Sequence, residues 1–346
     1  VRFTDGYSAC TVCSPTRAAL LTGKYPARLR ITDWIAGHDK PKAKLKIPDW
    51  QKFLPFEEIT LAEQLKAAGY ATASIGKWHL TPGLKDGDEA YYPDKHGFDV
   101  NIGGYARGQP PSFFAPYKIP TLTEGPAGEF LTDREANEAV KFIETNKDKP
   151  FFIYLPHYAV HTPIAGKPEV VAKYQAKAAK QPEVTQKNAT YAALVASVDD
   201  SLGTIRAALK RFKLEENTLI VFTSDNGGIE SLQNAYVGDV PHSPFNSEND
   251  PLRGQKNTLY EGGTRVSAFA HWSGKLKPSK IAAPLYVGDW LPTLAGLAGF
   301  RPEKDPQWDG LDRWKVIRGD EAKPADRTIY IGHSQGQALL HGDWKV

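Results

Sequence analysis

Residues 60–79 read Thr60-Leu61-Ala62-Glu63-Gln64-Leu65-Lys66-Ala67-Ala68-Gly69-Tyr70-Ala71-Thr72-Ala73-Ser74-Ile75-Gly76-Lys77-Trp78-His79, and the order of its parts decides the fold class. Thr60 with Glu63 three residues later is a capping box, in which each side chain accepts a hydrogen bond from the other residue's amide. This predicts a helix that stops at Gly69, a residue that tolerates the left-handed turn ending many helices. Residues 70–75 then read as a strand, and Gly76-Lys77-Trp78-His79 as a polar cluster at its carboxyl end. A helix running directly into a strand is the repeating unit of an α/β sheet.

The same grammar recurs along the chain. Thr132 and Glu135 predict a second capping box, a helix to about Asn146 and a strand over 151–155. A long amphipathic stretch over 188–212 precedes the apolar strand 219–223, which runs into Ser224-Asp225-Asn226-Gly227-Gly228. A strand is expected over 266–271 and a helix over 288–298. Near the start, residues 14–23 read as a short helix capped by Ser14, with Pro15 in its first turn and Gly23 at its end. The alternation predicts a largely parallel mixed sheet with helices on both faces. From about Asp326 the pattern changes to short alternating strands over 328–331 and 338–340. We therefore expect one large α/β domain over 1–325 and the beginning of a small antiparallel subdomain over 326–346. Residues 81–128, rich in Pro, Gly and Tyr, read as a long excursion of loops, which in a compact domain are usually functional or disordered.

Composition narrows the function classes. The chain has 346 residues, 41% apolar, 24% charged and 11% aromatic, as in a globular protein. The longest apolar run lies near 151–155, far short of the roughly 20 residues a membrane helix needs. A net charge of +3 makes no case for bulk nucleic-acid binding. Methionine is absent, the opening Val1-Arg2-Phe3-Thr4 reads as a strand already under way, and the chain closes on Trp344-Lys345-Val346. The natural protein is thus expected to be longer at both ends, and the sequence is silent on a leader peptide. Cys10 and Cys13 are the only cysteines. Their spacing permits a redox dithiol, whereas a zinc site would need two further ligands and finds no second cysteine pair.

In open α/β sheets ligands gather beyond the carboxyl ends of strands. Polar clusters stand at such ends at 76–79, 156–163 and 224–227, and another, Cys13-Ser14-Pro15-Thr16-Arg17, opens a helix. That last stretch, followed by Leu21-Thr22-Gly23, resembles the type I sulfatase family of the alkaline phosphatase superfamily. In that family Cys-x-Pro-x-Arg directs oxidation of the cysteine to formylglycine by a formylglycine-generating enzyme. Further motifs follow in the family's order: Gly76-Lys77-Trp78-His79, His161-Thr162-Pro163, Ser224-Asp225-Asn226-Gly227, Arg253-Gly254-x-Lys256 and Glu261-Gly262-Gly263. The resemblance implies an alkaline-phosphatase-like fold and hydrolysis of sulfate monoesters.

The chemistry asks for these residue types. A hydrated aldehyde at position 13 presents two hydroxyls on one carbon, one to attack sulfur and one to let the carbon expel sulfate. The opening of a helix suits an anionic substrate, although it would equally lower a thiol's pKa. Arg17 lies one helical turn from Cys13, on the same face, placed to orient the nucleophile and balance charge. The resemblance implies that Lys77 and Lys256 bind the sulfate, that His79 contacts the nucleophile and that His161 binds substrate, with Arg253 supporting Lys256. His157 and His161 have the spacing of a helical zinc pair, but Pro156 and Pro163 bracket a strand-to-loop passage, and His157 reads as structural.

Asp225 and Asn226 resemble two metal ligands of the family, which usually holds Ca²⁺, with Mg²⁺ as the alternative; the modified Cys13 would also face the ion. The family's two further carboxylates come from a strand expected to precede residue 1, so this chain carries half of the metal site. Lys40, Lys42, Lys44 and Lys46, and Lys173, Lys177, Lys180 and Lys187, read as solvated lysines or as flanks of a cleft for a polyanionic carbohydrate. Tyr91, Tyr92, Tyr105 and Trp34 are candidate faces for sugar rings, and Cys10 a buried filler. The resemblance favours a sulfated glycan or small-molecule sulfate as substrate and a periplasmic or secreted location. The alternatives are a phosphomonoester or phosphonate hydrolase of the same superfamily, a non-catalytic binding chain, and a dithiol oxidoreductase.

Overall fold

The computed structural model describes residues 1–38, 43–181, 183, 185–230, 247–302, 305–321, 324–333 and 336–346. Strand β1 (Arg2–Tyr7) leads into α1 (Cys13–Thr22), the single turn α2 (Pro26–Leu29), α3 (Leu61–Ala67), β2 (Ala71–Ile75) and β3 (Val100–Ile102). Next come α4 (Leu131–Asn146), β4 (Phe151–Tyr154), α5 (Pro168–Ala179), α6 (Ala189–Arg211) and β5 (Ile220–Thr223). The chain then forms α7 (Glu261–Thr264), β6 (Arg265–His271), β7 (Lys280–Ile281), β8 (Leu285–Tyr286), α8 (Trp290–Leu297) and α9 (Trp314–Arg318). It ends in β9 (Thr328–His333), β10 (Gly336–His341) and β11 (Trp344–Lys345).

In one sheet β2 lies between β3 and β4, parallel to both, with Ala73 opposite Val100 and Ala71 opposite Phe151. A second has the order β5-β6-β1-β7 with β8 also on β1; β6 is antiparallel to its neighbours, while β7 and β8 run parallel to β1. The period-2 alternation of β2 and β4 explains the layers. Ala73, Ile75 and Ile153 pack against Ala139 and Phe142 of α4, while Phe152 packs against Leu61 and Leu65 of α3. Helices thus cover both faces, and the antiparallel sheet β11-β10-β9 follows at the carboxyl end. Among the described residues no helix is long and apolar enough to cross a membrane.

Strands β4 and β5 are edge strands of their sheets. Every residue of both lines one continuous cavity of about 2170 Å³, which reaches Cys13 and Asp225. Apolar side chains of α6 (Val198, Leu202, Ile205), α3 (Leu61, Leu65) and α8 (Leu294) line it as well.

Local signals were mostly realised. The Thr60–Glu63 capping box forms with both bonds, Glu63 N–H to Thr60 Oγ1 at 3.2 Å and Thr60 N–H to Glu63 Oε2 at 2.7 Å. Asn188 caps α6 by accepting from the Tyr191 amide at 2.9 Å. Two expected caps did not form. Helix α4 begins at Leu131, with no side-chain cap, because Glu135 is drawn away to His157 at 2.6 Å. Ser14 lies inside α1 instead of capping it: its hydroxyl donates to the His79 carbonyl at 2.9 Å and accepts from the Ile35 amide at 3.1 Å.

Candidate active site

Cys13 is the first residue of α1, after Val12 in extended conformation. Helix amides at this end lack intrahelical partners and favour an anion. The second anchor is Arg17, which is buried. Its Nε and Nη2 both donate to Asp225 Oδ2, at 3.0 and 2.8 Å, and its Nη1 donates to the Lys77 carbonyl at 2.8 Å. Tyr154, at the end of β4, approaches the same Nη1 at 3.5 Å. Arg17 therefore ties the ends of β2, β4 and β5 to α1, and its guanidinium is engaged by Asp225 and Lys77 rather than by residue 13. Burial would lower its pKa, and Asp225 outweighs this and raises it.

The loop after β2 carries Lys77 and His79, both buried. The Lys77 amide donates to the Pro156 carbonyl at 2.7 Å, which fastens this loop to the one after β4. His79 sits at φ 60°, an uncommon conformation for a non-glycine residue. Its Nε2 hydrogen-bonds the Ile35 carbonyl, so that nitrogen carries the proton. Nδ1 is left unprotonated, buried and without a hydrogen-bond partner among the described residues. Burial, foremost, keeps His79 below its usual 6.5.

His161 and Lys256 arrive from the other side of the chain. Lys256 Nζ lies 3.9 Å from Cys13 Sγ and 3.2 Å from His161 Nε2. His161 Nδ1 faces the Thr162 carbonyl at 3.1 Å, so Nδ1 is the protonated nitrogen and Nε2 accepts from the Lys256 ammonium. Burial, with Lys256 and Lys77 adding to it, holds His161 at about 4. Lys256 is placed by its amide, which donates to the Gly228 carbonyl at 2.9 Å. The Asp225–Asn226 turn is packed on the Glu261-Gly262-Gly263 stretch. A Cβ at Gly227 would come within 1.7 Å of the Gly262 carbonyl oxygen, which explains glycine there.

These charges act together on position 13. Burial alone would raise the Cys13 thiol, but Lys256 foremost, with Lys77, holds it well below its usual 9.0. Asp225 is likewise pushed up by burial and held below 3.8, chiefly by Arg17. The site is built to stabilise negative charge at residue 13 and beside it. Cys10 differs: burial, foremost, pushes its thiol up to about 12, and both cysteines are unpaired.

For a metal, Asn226 Oδ1 is a buried oxygen without a partner among the described residues, beside Asp225. Hard oxygen donors suit Ca²⁺ or Mg²⁺, and both residues fit as ligands. They are fewer than such an ion takes, and no group of three His, Cys, Asp or Glu able to hold a metal occurs among the described residues.

The structure thus brings Cys13, Arg17, Lys77, His79, His161, Asp225, Asn226 and Lys256 to one cavity. Other expectations fare differently. His157 is held structurally, between Glu135 at 2.6 Å and Ser201 Oγ at 3.0 Å. The Arg253 guanidinium stacks on Tyr260, 4.0 Å from the ring centroid, rather than on Lys256. Tyr105 is buried in the core, Tyr91 stacks on Phe56 and Tyr92 packs on the same core as Tyr105; of the aromatic candidates, Trp34 lines the cavity. Lys44, Lys46, Lys173, Lys177, Lys180 and Lys187 are exposed and none lines the cavity, while Lys40 and Lys42 lie outside the described residues. Tyr154 was not singled out from sequence; its place at the end of a strand before Pro156-His157 was the available signal.

Comparison with known proteins agrees with this geometry. A sequence model of the family described as Sulfatase matches residues 1–300. N-acetylgalactosamine-6-sulfatase of Mus musculus is 31% identical over 362 residues, covering 98% of this chain and 62% of the relative. The crystal structure of Ps i-CgsB superposes with a TM-score of 0.79 at 30% identity, covering 100% of this chain and 75% of that one, and has also been solved in complex with k-i-k-neocarrahexaose. Phosphonate monoester hydrolase from Silicibacter pomeroyi, at 16% identity and a TM-score of 0.60 over 98% of this chain and 78% of its own, shares the fold. The chain spans between about half and three-fifths of the length of curated relatives it matches, 49% for Arylsulfatase J of Mus musculus and 62% for the galactosamine sulfatase.

Proposed function

Because this chain belongs to the sulfatase family, we propose that it hydrolyses sulfate monoesters, on a sulfated carbohydrate, with residue 13 as nucleophile. The carrying observation is the convergence of Lys256, Lys77, His161 and His79 on a buried Cys13 at a helix opening. Sulfate hydrolysis is favoured over phosphonate hydrolysis by the sulfatases at 30% identity and above, against 16% for the phosphonate enzyme. The carbohydrate reading is supported by relatives named for galactosamine sulfate and by the neighbour solved with a carrahexaose.

Oxidation of Cys13 to formylglycine, by a formylglycine-generating enzyme, would supply a gem-diol that attacks sulfur and later expels sulfate. The chain's own residues prepare that chemistry. Lys77 and Lys256 offer ammonium groups to the sulfate oxygens, where charge spreads in the transition state. His161 keeps the Lys256 ammonium aimed by accepting from it at Nε2. The unprotonated Nδ1 of His79 is the base positioned to receive a proton from residue 13. Arg17 holds Asp225 ionised and anchors the Lys77 loop. Asp225 and Asn226 would supply two of the oxygen ligands of a divalent cation, Ca²⁺ or Mg²⁺, whose role is to polarise the sulfate and the nucleophile. We assign catalysis to residues 1–325, a division supported by the confinement of β9 to pairing with β10. We also place the protein in the periplasm or outside the cell, in keeping with polymeric glycan substrates.

Peptide mass spectrometry on the Cys13 peptide, from protein made in its native host, tests the reading. The aldehyde or hydrate mass is expected. An unmodified thiol in matured protein, or a disulfide to Cys10, would overturn it.

A further inference from the structure

Two loops that pack on His79 also reach the nucleophile's cavity, with side chains that the chemistry above does not use. The first carries Asp33 to His38. Its Ile35 carbonyl accepts from His79 Nε2, and the Trp34 ring stands 6.5 Å from that of His79, centroid to centroid. Trp34 packs edge-on against the His38 ring, 5.8 Å between centroids, and His38 Nδ1 donates to the buried Asp33 carboxylate at 2.9 Å. The second loop carries Ala106 to Gln109. It lies so close that a Cβ at Gly108 would come within 2.4 Å of His79 Cε1. Arg107, the preceding residue, is exposed and lines the same cavity as Cys13 and Lys77. Among the described residues it makes no hydrogen bond or ion pair.

That unpaired guanidinium is surplus to a single sulfate. The floor of the cavity already carries Arg17, Lys77 and Lys256 against the carboxylate of Asp225. A guanidinium presents a planar fork of donors that matches a carboxylate or a sulfate, and its charge adds to the cationic field of the cavity. Trp34 offers an aromatic face, held in place, on which the C–H face of a sugar ring can pack. We propose that Arg107 and Trp34 form a subsite for a sugar that bears a second anionic group, carboxylate or sulfate, next to the sulfate being cleaved. The proposal rests on the sulfatase reading and adds the substrate class: polyanionic rather than singly sulfated glycans.

The test uses the intact, matured protein and turnover of 4-nitrophenyl sulfate. Competitive inhibition is measured with glucosamine 6-sulfate against glucosamine 2-N,6-O-disulfate, and with galactose 6-sulfate against galactose 2,6-disulfate. In at least one series the doubly charged sugar is expected to inhibit about tenfold more strongly than its singly charged counterpart. Arg107→Ala should erase that ratio and Arg107→Lys should restore part of it, while Trp34→Ala should weaken both sugars of the pair alike. An unchanged ratio in Arg107→Ala, or equal inhibition by both sugars in both series, overturns the subsite while leaving the sulfatase reading intact. Absence of sulfate release from 4-nitrophenyl sulfate and from all four sulfated sugars, by protein whose residue 13 is shown to be an aldehyde, overturns the sulfatase reading, and the proposal with it.

Discussion

Arg17 shows how much a single side chain carries here. It is 8% exposed, and its partner Asp225 is 26% exposed. Removing one partner of a largely buried pair leaves an uncompensated charge, typically a loss of about 3–5 kcal/mol, and partial exposure of Asp225 reduces that. Arg17→Ala should therefore lower stability by about 2–3 kcal/mol, read as a shift in the urea midpoint. Arg17→Lys should recover little, because one ammonium cannot serve Asp225 and the Lys77 carbonyl as the fork does. The residue was legible from its spacing to Cys13, yet its partner was not. Arg17 and Asp225 are separated by 208 positions, and no local pattern records a pairing over such a distance. The same holds for His161 and Lys256, whose 3.2 Å contact spans 95 positions.

Among elements, the clamp of Glu135, His157 and Ser201 decides how α4, the loop after β4 and α6 meet. Glu135 is fully enclosed, and burial raises its pKa above the usual 4.5 despite His157. His157→Ala would leave that carboxylate without its main partner, so it should cost about 1–3 kcal/mol. Circular dichroism melting would show the loss, and Glu135→Gln in the same background should return part of it, since a neutral amide is cheaper to bury. This clamp also explains the failed prediction for α4. Thr132 and Glu135 have the spacing of a capping box, as Thr60 and Glu63 do. Only the second pair forms one, because a tertiary partner claims Glu135. Ser14 repeats the lesson: a good cap by composition, it is used to join the His79 and Ile35 loops.

For the whole molecule, the carboxyl-terminal sheet is fastened to the main body by a buried ion pair. Arg327 Nη1 contacts both oxygens of Asp289, at 2.7 and 2.6 Å, with side chains 8% and 0% exposed. Arg327→Ala should destabilise by about 3–5 kcal/mol, whereas the joint change of Arg327→Met and Asp289→Leu should recover most of this, because it removes both charges at once. Equal losses in the single and joint variants, measured by denaturant unfolding, would count against the pair as the fastening. On this scale the division between sequence and tertiary structure is plain. The sequence by itself determined the α/β class and most element positions, because capping boxes and strand ends are local patterns, and it nominated every residue proposed for the chemistry through motifs that resemble the family's. Only the tertiary structure decided that those clusters share one cavity, that β4 and β5 line it from separate sheets, and that Trp34 rather than the tyrosines reaches it. It alone placed Arg107 at that cavity, without a hydrogen-bond or ion-pair partner among the described residues. The physical reason is that burial and charge fields arise from residues far apart in the chain, and they set which nitrogen of His79 holds a proton and how low the Cys13 thiol falls.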